Sequence, residues 1–226
     1  MSIVRKMFPI NILVGALAAS GAVAAEGSAL SGVALRADAG AEAGVVFEAW
    51  LSPHQEAGEE RDTPALVPRQ FKSTTPSVDR DQRSSRGHGT LTFTRDFSKA
   101  YVHLKVAGVK VEEINMFHIH CGRPGQLGPI IVDFGRGRDL TEEFAEGEVF
   151  FEVSNSDIVA TAESGHGVVG ALTAGCPIVT SIPADKVKTV AGMANIAHER
   201  ELYFNLHTTS QTYFGDIRGQ LHPVSD

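Results

Sequence analysis

The sequence predicts an all-β sandwich or barrel that carries one short helix. Three observations lead there: short segments in which apolar and polar residues alternate, glycine-rich turns between those segments, and a single stretch whose apolar residues recur at helical spacing.

Before the first strand comes a leader. Arg5 and Lys6 precede the apolar run Ile12–Ala19, and Ala22–Ala25 offers small residues where a signal peptidase reads. This is the pattern of a secretory signal peptide cleaved near Ala25, so the mature chain is expected to be secreted or periplasmic. A membrane anchor needs about 20 apolar residues, and this run is shorter, with Pro9 and Asn11 just ahead of it. No later stretch is long enough to span either. Residues 26–44 read as a linker, and the remainder is long enough for one large β domain or two small ones. The whole chain has a formal net charge of −7, and Arg5 and Lys6 are the only ionisable side chains of the leader, so processing makes it more acidic. Such a surface repels phosphate backbones, which argues against nucleic acid as a partner.

From Val45, "VVFEAWL" has the length and composition of a strand. Residues 57–86 carry proline, serine and charge without a sustained period, and read as a surface excursion or a partly disordered insertion. In "GTLTFT", Leu91 and Phe93 alternate with Thr90, Thr92 and Thr94. After the turn "RDFSKA", Val102, Leu104 and Val106 share one face while Tyr101, His103 and Lys105 share the other. That pair is a hairpin with one buried face, and His103 falls on the wet side.

The same parity rule applies to "INMFHIHC". Phe117, Ile119 and Cys121 leave one side, and Met116, His118 and His120 leave the other. The two imidazoles therefore sit on one face with Cα atoms roughly 6.5 to 7 Å apart, a spacing that suits two ligands of one ion. Cys121 points toward the core. It and Cys176 are the only cysteines, and an exported chain with an even count invites a disulfide, which stabilises by up to about 4 kcal/mol. Free buried thiols, or Cys121 as a metal ligand, are the competing readings.

A His-x-His pair is a short motif, and zinc takes four protein ligands in structural sites and three plus water in catalytic ones. A third imidazole has to come from elsewhere. In residues 183–197, Val187, Val190, Ala191 and Ala194 recur at helical spacing, with Pro183 placed to start the turn. A hairpin follows: Leu202, Phe204 and Leu206 form its apolar parity, Tyr203, Asn205 and His207 face the other way, and after the turn Ile217 and Leu221 alternate with Asp216, Arg218 and Gln220. If this hairpin neighbours the His118 strand, His118, His120 and His207 converge on one zinc or copper ion, and Asp216 orients one ring from behind. Arg218 is expected to pair with Asp216 or a loop carboxylate, or else to bind an anionic ligand. The competing reading for the histidines is that they hydrogen-bond loop backbone and lock "GRPGQLGP" in place.

Other chemistries find little support. There is no G-x-S-x-G, no Cys-His nucleophile pair, no Walker loop and no dinucleotide glycine motif. Carboxylate pairs such as Glu142 with Glu143, or Asp133 with Asp216, would need a cleft and separated pKa values for hydrolysis. The eight acidic residues from Asp139 to Glu163 read as a solvated face, and "EVFFEV" within them as an added strand.

Four separated stretches, "FEAWLSPHQE", "GHGTLTF", "FHIHCGRPGQLGPIIVDF" and "LYFNLHTTSQTYFGDIRGQL", resemble in order the landmarks of the CHRD domain, the module repeated in chordin and found singly in many exported microbial proteins. The resemblance covers residues 45–224, with longer insertions at about 57–86 and 137–165. Departures are Pro53 and His54 near a position the family keeps small, the absence of Val-Pro-Pro after Glu56, and Asp216 in place of a glutamate. What the resemblance implies is an antiparallel β-sandwich of immunoglobulin or superoxide-dismutase type, with no general activity attached. The expectation is an exported binding module for an extracytoplasmic ligand or protein, metal-dependent through the three histidines and without a committed chemical step. The alternative is an enzyme similar to copper/zinc superoxide dismutase, which would draw further ligands from His166 or His222. Exposed strand edges also invite pairing with another chain.

Overall fold

Leu91 and Phe93 leave one face of their strand and Val102 and Leu104 leave the matching face of the next, so the hairpin has one side that must be covered. In the computed structural model of the chain, which describes residues 36, 38–165, 173–177 and 185–224, a second sheet covers it. The expected signal peptide, most of the linker that follows it, His166 and Pro183 lie outside the described residues.

The described strands are β1 (Ala43–Leu51), β2 (Arg86–Thr94), β3 (Ala100–Ala107), β4 (Ile114–Cys121), β5 (Ile130–Asp133), β6 (Glu148–Val153), β7 (Leu202–Thr208), β8 (Ile217–Gln220) and β9 (His222–Pro223). One sheet runs β6-β3-β2-β1-β9 and the other β5-β4-β7-β8, with antiparallel pairing throughout. This is the all-β sandwich the alternation predicts. Between the sheets Phe47, Leu91, Phe93, Leu104, Phe117, Ile119, Phe151 and Phe204 are fully or nearly fully buried. Phe117 is central: it stacks on Phe134 with ring centroids 4.8 Å apart and meets Phe144 edge-on at 5.8 Å. Burying one such ring stabilises by about 1.5–3 kcal/mol, and truncating it to alanine costs about 3–5 kcal/mol.

Three α-helices are described where one was expected. α1 (Leu140–Glu143) and α2 (Asn155–Glu163) flank β6 within the acidic insertion, and α3 (Val190–His198) precedes β7. Nine residues are too few for a periodic signal to stand out in α2, whose buried residues are only Ile158 and Thr161; its start is written instead in a capping box between Ser154 and Asp157. α3 begins later than Pro183 because Thr189 caps it, accepting from the Gly192 amide at 3.0 Å. Val187 stays outside the helix and its amide bonds the carbonyl of Cys176. The added strand β6 turns Val149, Phe151 and Val153 inward, while Glu142, Glu143, Glu146 and Glu152 are exposed.

Residues 57–85, expected as a surface excursion or a partly disordered insertion, are a mostly exposed surface segment ahead of β2. They fold back over the outer face of the second sheet through single 3-10 turns at Glu60–Asp62, Arg69–Phe71 and Arg80–Gln82. Glu60 anchors this cap on the β7–β8 loop: its carboxylate accepts from the amides of Tyr213 at 3.1 Å and Phe214 at 3.4 Å and from the Ser73 hydroxyl at 2.7 Å. Arg83 adds a bond to the Asp216 carbonyl at 2.8 Å, and Gln211 reaches the Val78 carbonyl at 2.8 Å. Every residue of β7 is consequently buried, including those on its polar parity.

Candidate metal centre

The polar parities of β4 and β7 become a site because the two strands pair. His118 lies opposite Asn205, His120 opposite Tyr203 and Met116 opposite His207, which sets His207 diagonally beside His118. Ring centroids are 5.2 Å apart for His118 and His120, 5.2 Å for His118 and His207, and 6.2 Å for His120 and His207. One ring nitrogen from each lies within 4.8 Å of the others, and all three residues are buried. Tetrahedral coordination with metal–nitrogen bonds near 2.1 Å needs ligand atoms about 3.4 Å apart, a closure on the scale of side-chain rotation.

The hydrogen bonds around the rings decide which nitrogens are free. Nδ1 of His120 is 2.8 Å from the carbonyl oxygen of Gly128, and Nδ1 of His207 is 3.0 Å from that of Thr212. A carbonyl only accepts, so both Nδ1 atoms carry the proton and both Nε2 atoms carry a lone pair. His118 places Nε2 at 3.5 Å from Asp133 Oδ1. The remaining nitrogens, His118 Nδ1, His120 Nε2 and His207 Nε2, are buried without a hydrogen-bond partner among the described residues. Burial, reinforced by the neighbouring rings, pushes the His120 pKa well below its usual value and takes His207 to about 3. Burial raises Asp133, but the hydrogen bond and charge of His118 outweigh it and hold the carboxyl below the usual range. The result is two imidazoles, His120 and His207, that stay neutral, with a carboxylate beside His118.

In its chemistry the site resembles a metal-binding arrangement: one nitrogen of each ring has no partner among the described residues, and the opposite nitrogen faces a carbonyl or a carboxylate. A family model described as CHRD domain matches residues 47–221. The chain belongs to the CHRD-domain family. No curated protein and no solved structure matches it. Family membership, together with the Cys121–Cys176 disulfide, fits a binding module of the extracellular type. Among the described residues no helix is long and apolar enough to cross a membrane.

Within the CHRD domain the landmark residues hold the loop that follows the histidines. Arg218 is fully buried, lies over the Tyr203 ring at 3.4 Å, and donates to the carbonyls of Gln126 at 2.5 Å and Arg123 at 2.9 Å. Among the described residues it forms no ion pair with Asp216 or another carboxylate, contrary to the expectation from its charge; its neighbour across the strands is an aromatic ring, and loop carbonyls come within its fork. Gln220 donates to the carbonyls of Gly122, Arg200 and Leu202. Tyr203, between β4 and β8, stacks on His120 at 4.9 Å and accepts from the Gly128 amide at 3.0 Å. Gly128 is required there, since a Cβ would stand 1.7 Å from the Cys121 carbonyl oxygen.

Two sequence assignments change. Asp216 does not orient an imidazole; it sits 3.4 Å from Arg83 of the cap. The carboxylate behind a histidine is Asp133, brought opposite His118 by the β4–β5 pairing. The parity of Asp133 is readable in "IIVDF", but the register across the irregular loop is not. His222 is exposed on β9, paired opposite Glu48 in the other sheet, and takes no part in the cluster. Cys121 is bonded to Cys176 rather than to a metal or left free. Sequence reasoning also missed Glu56, whose buried carboxyl has no hydrogen-bond partner among the described residues for either oxygen. Burial pushes its pKa well up, against the pull of Arg218 and Arg83.

Proposed function

We propose that this CHRD domain is an exported metal-binding module in which His118, His120 and His207 hold one zinc or copper ion. One observation carries the reading: three buried rings lie together with one nitrogen of each within 4.8 Å of the others, each ring keeps a nitrogen without a hydrogen-bond partner among the described residues, and in two of them the bond to a backbone carbonyl leaves the lone pair on Nε2. Lone pairs gathered in a buried space repel, and a cation relieves them; imidazole suits both zinc and copper. The same carbonyl bonds also lock the loop, so the two readings of the histidines are complementary.

The test is metal analysis of untagged mature protein prepared without chelators, beside His118→Ala/His120→Ala. One equivalent of zinc or copper in the wild type, absent from the variant, is the expected result. A folded wild type that neither carries nor takes up metal overturns it. The superoxide-dismutase-like alternative separates in the same experiment, because a copper-loaded sample would have to disproportionate superoxide. Among the described residues the cluster holds three histidines, fewer than the four such a copper site needs.

A further inference from the structure

The ion site opens into a chamber that the cap roofs. A cavity of 340 Å³ lies over the three histidines, walled by Val67, Pro68 and Phe71 of the cap and by Met116, Leu127 and Ile130 of the sheet side. Its volume falls at the small end of the range for organic-ligand pockets. Apart from the histidines themselves, most of what it offers is hydrocarbon. Leu66 stands 97% exposed among the lining residues, so the chamber has an apolar lip where the cap meets solvent.

Building on the proposed metal site, we infer that the chamber binds a small organic monoanion with an apolar body, whose carboxylate-type head occupies the open position of the ion. Three protein nitrogens leave a four-coordinate ion one position short, and all three rings line the cavity, which gives that position room for a ligand. The charges define the head. A divalent ion among three neutral imidazoles carries two positive units; Asp133, 3.5 Å from His118, offsets one of them. The remaining unit sits in a largely apolar space where water solvates it poorly, and a single anionic oxygen donor balances it. The walls define the body, since each Å² of apolar ligand surface buried contributes about 25 cal/mol. A neutral alcohol has the body without the charge, and phosphate has charge without the body.

Isothermal titration with benzoate, hexanoate and benzyl alcohol tests this on zinc-loaded and chelator-stripped full-length mature protein, with cobalt-loaded protein followed by visible absorption. Benzoate or hexanoate is expected to bind the zinc form at least tenfold more tightly than the stripped form, benzyl alcohol to bind weakly, and benzoate to shift the cobalt bands. Phe71→Ser is expected to weaken the anions at least fivefold while zinc stoichiometry stays at the wild-type level, which also reports that the site remains folded. Stoichiometric zinc with no anion binding, or equal binding with and without zinc, overturns the ligand assignment and leaves the metal reading standing. Absence of zinc uptake overturns both.

Discussion

Nδ1 of His120 donates to the carbonyl oxygen of Gly128 at 2.8 Å, and that single bond ties the "GRPGQLGP" loop to β4 while leaving the lone pair on the other nitrogen of a ring that lies beside His118 and His207. Loop closure and the donor set are therefore one arrangement.

Asp133 stands to His118 as the carbonyls stand to the other two rings, so Asp133→Asn keeps the shape and removes the charge. Metal affinity is expected to fall about 10- to 100-fold with the fold intact. Competition with a chromogenic chelator measures it, and an unchanged affinity would separate Asp133 from the site.

Acid destabilises the metal-free protein through its histidines. His207 is lowered to about 3 and His120 is lowered as well, whereas in the unfolded chain both titrate near 6.5. Between those values the unfolded state binds protons that the folded state refuses. Stability is thus full above about pH 6.5 and falls by about 1.4 kcal/mol per pH unit for each such ring as pH drops, until the folded pKa is reached. Urea unfolding at about pH 7.5, 6 and 5 is expected to show this slope and to show it reduced in His207→Asn.

Glu56 has the opposite sign. Its folded pKa is raised well above the ordinary value by burial, so the folded state keeps a proton the unfolded chain releases. The stability this adds is complete below the unfolded pKa of about 4.3 and is lost as pH rises through the folded value. Glu56→Gln is neutral at every pH, and its unfolding free energy is expected to gain on the wild type as pH rises from about 4.5 toward the raised folded value. A constant difference across that range would contradict the assignment.

Arg218→Lys keeps the charge but loses the planar fork that reaches two carbonyls and covers Tyr203. It is expected to cost about 3 kcal/mol, lowering the melting temperature by roughly 6 to 12 °C. Thermal unfolding by circular dichroism reads this directly; a shift below about 2 °C would make the fork dispensable.

The Cys121–Cys176 bridge closes a separation of 55 residues. Changing both cysteines to serine is expected to cost about 4 kcal/mol on the chain-entropy account, read as a lower denaturation midpoint in urea.

What the sequence determined by itself is what depends on neighbours two residues apart. Alternation put Phe117 and Ile119 toward the core and His118 and His120 on the opposite face, and placed His207 on the polar parity of the β7–β8 hairpin; pleated geometry enforces this along any strand. The four ordered landmarks likewise carried the family, and the even cysteine count pointed to a disulfide. Tertiary structure decided everything that depends on which distant segments meet. β4 pairs with β7 across about 80 intervening residues, and only that register sets His207 beside His118; β5 brings Asp133 behind it; the cap buries a face whose polar pattern reads as wet. Arg218 shows the reason in one residue. Its charge predicts a carboxylate partner, but partner choice is fixed by which atoms the packed chain brings within reach, and here they are two loop carbonyls and a tyrosine ring.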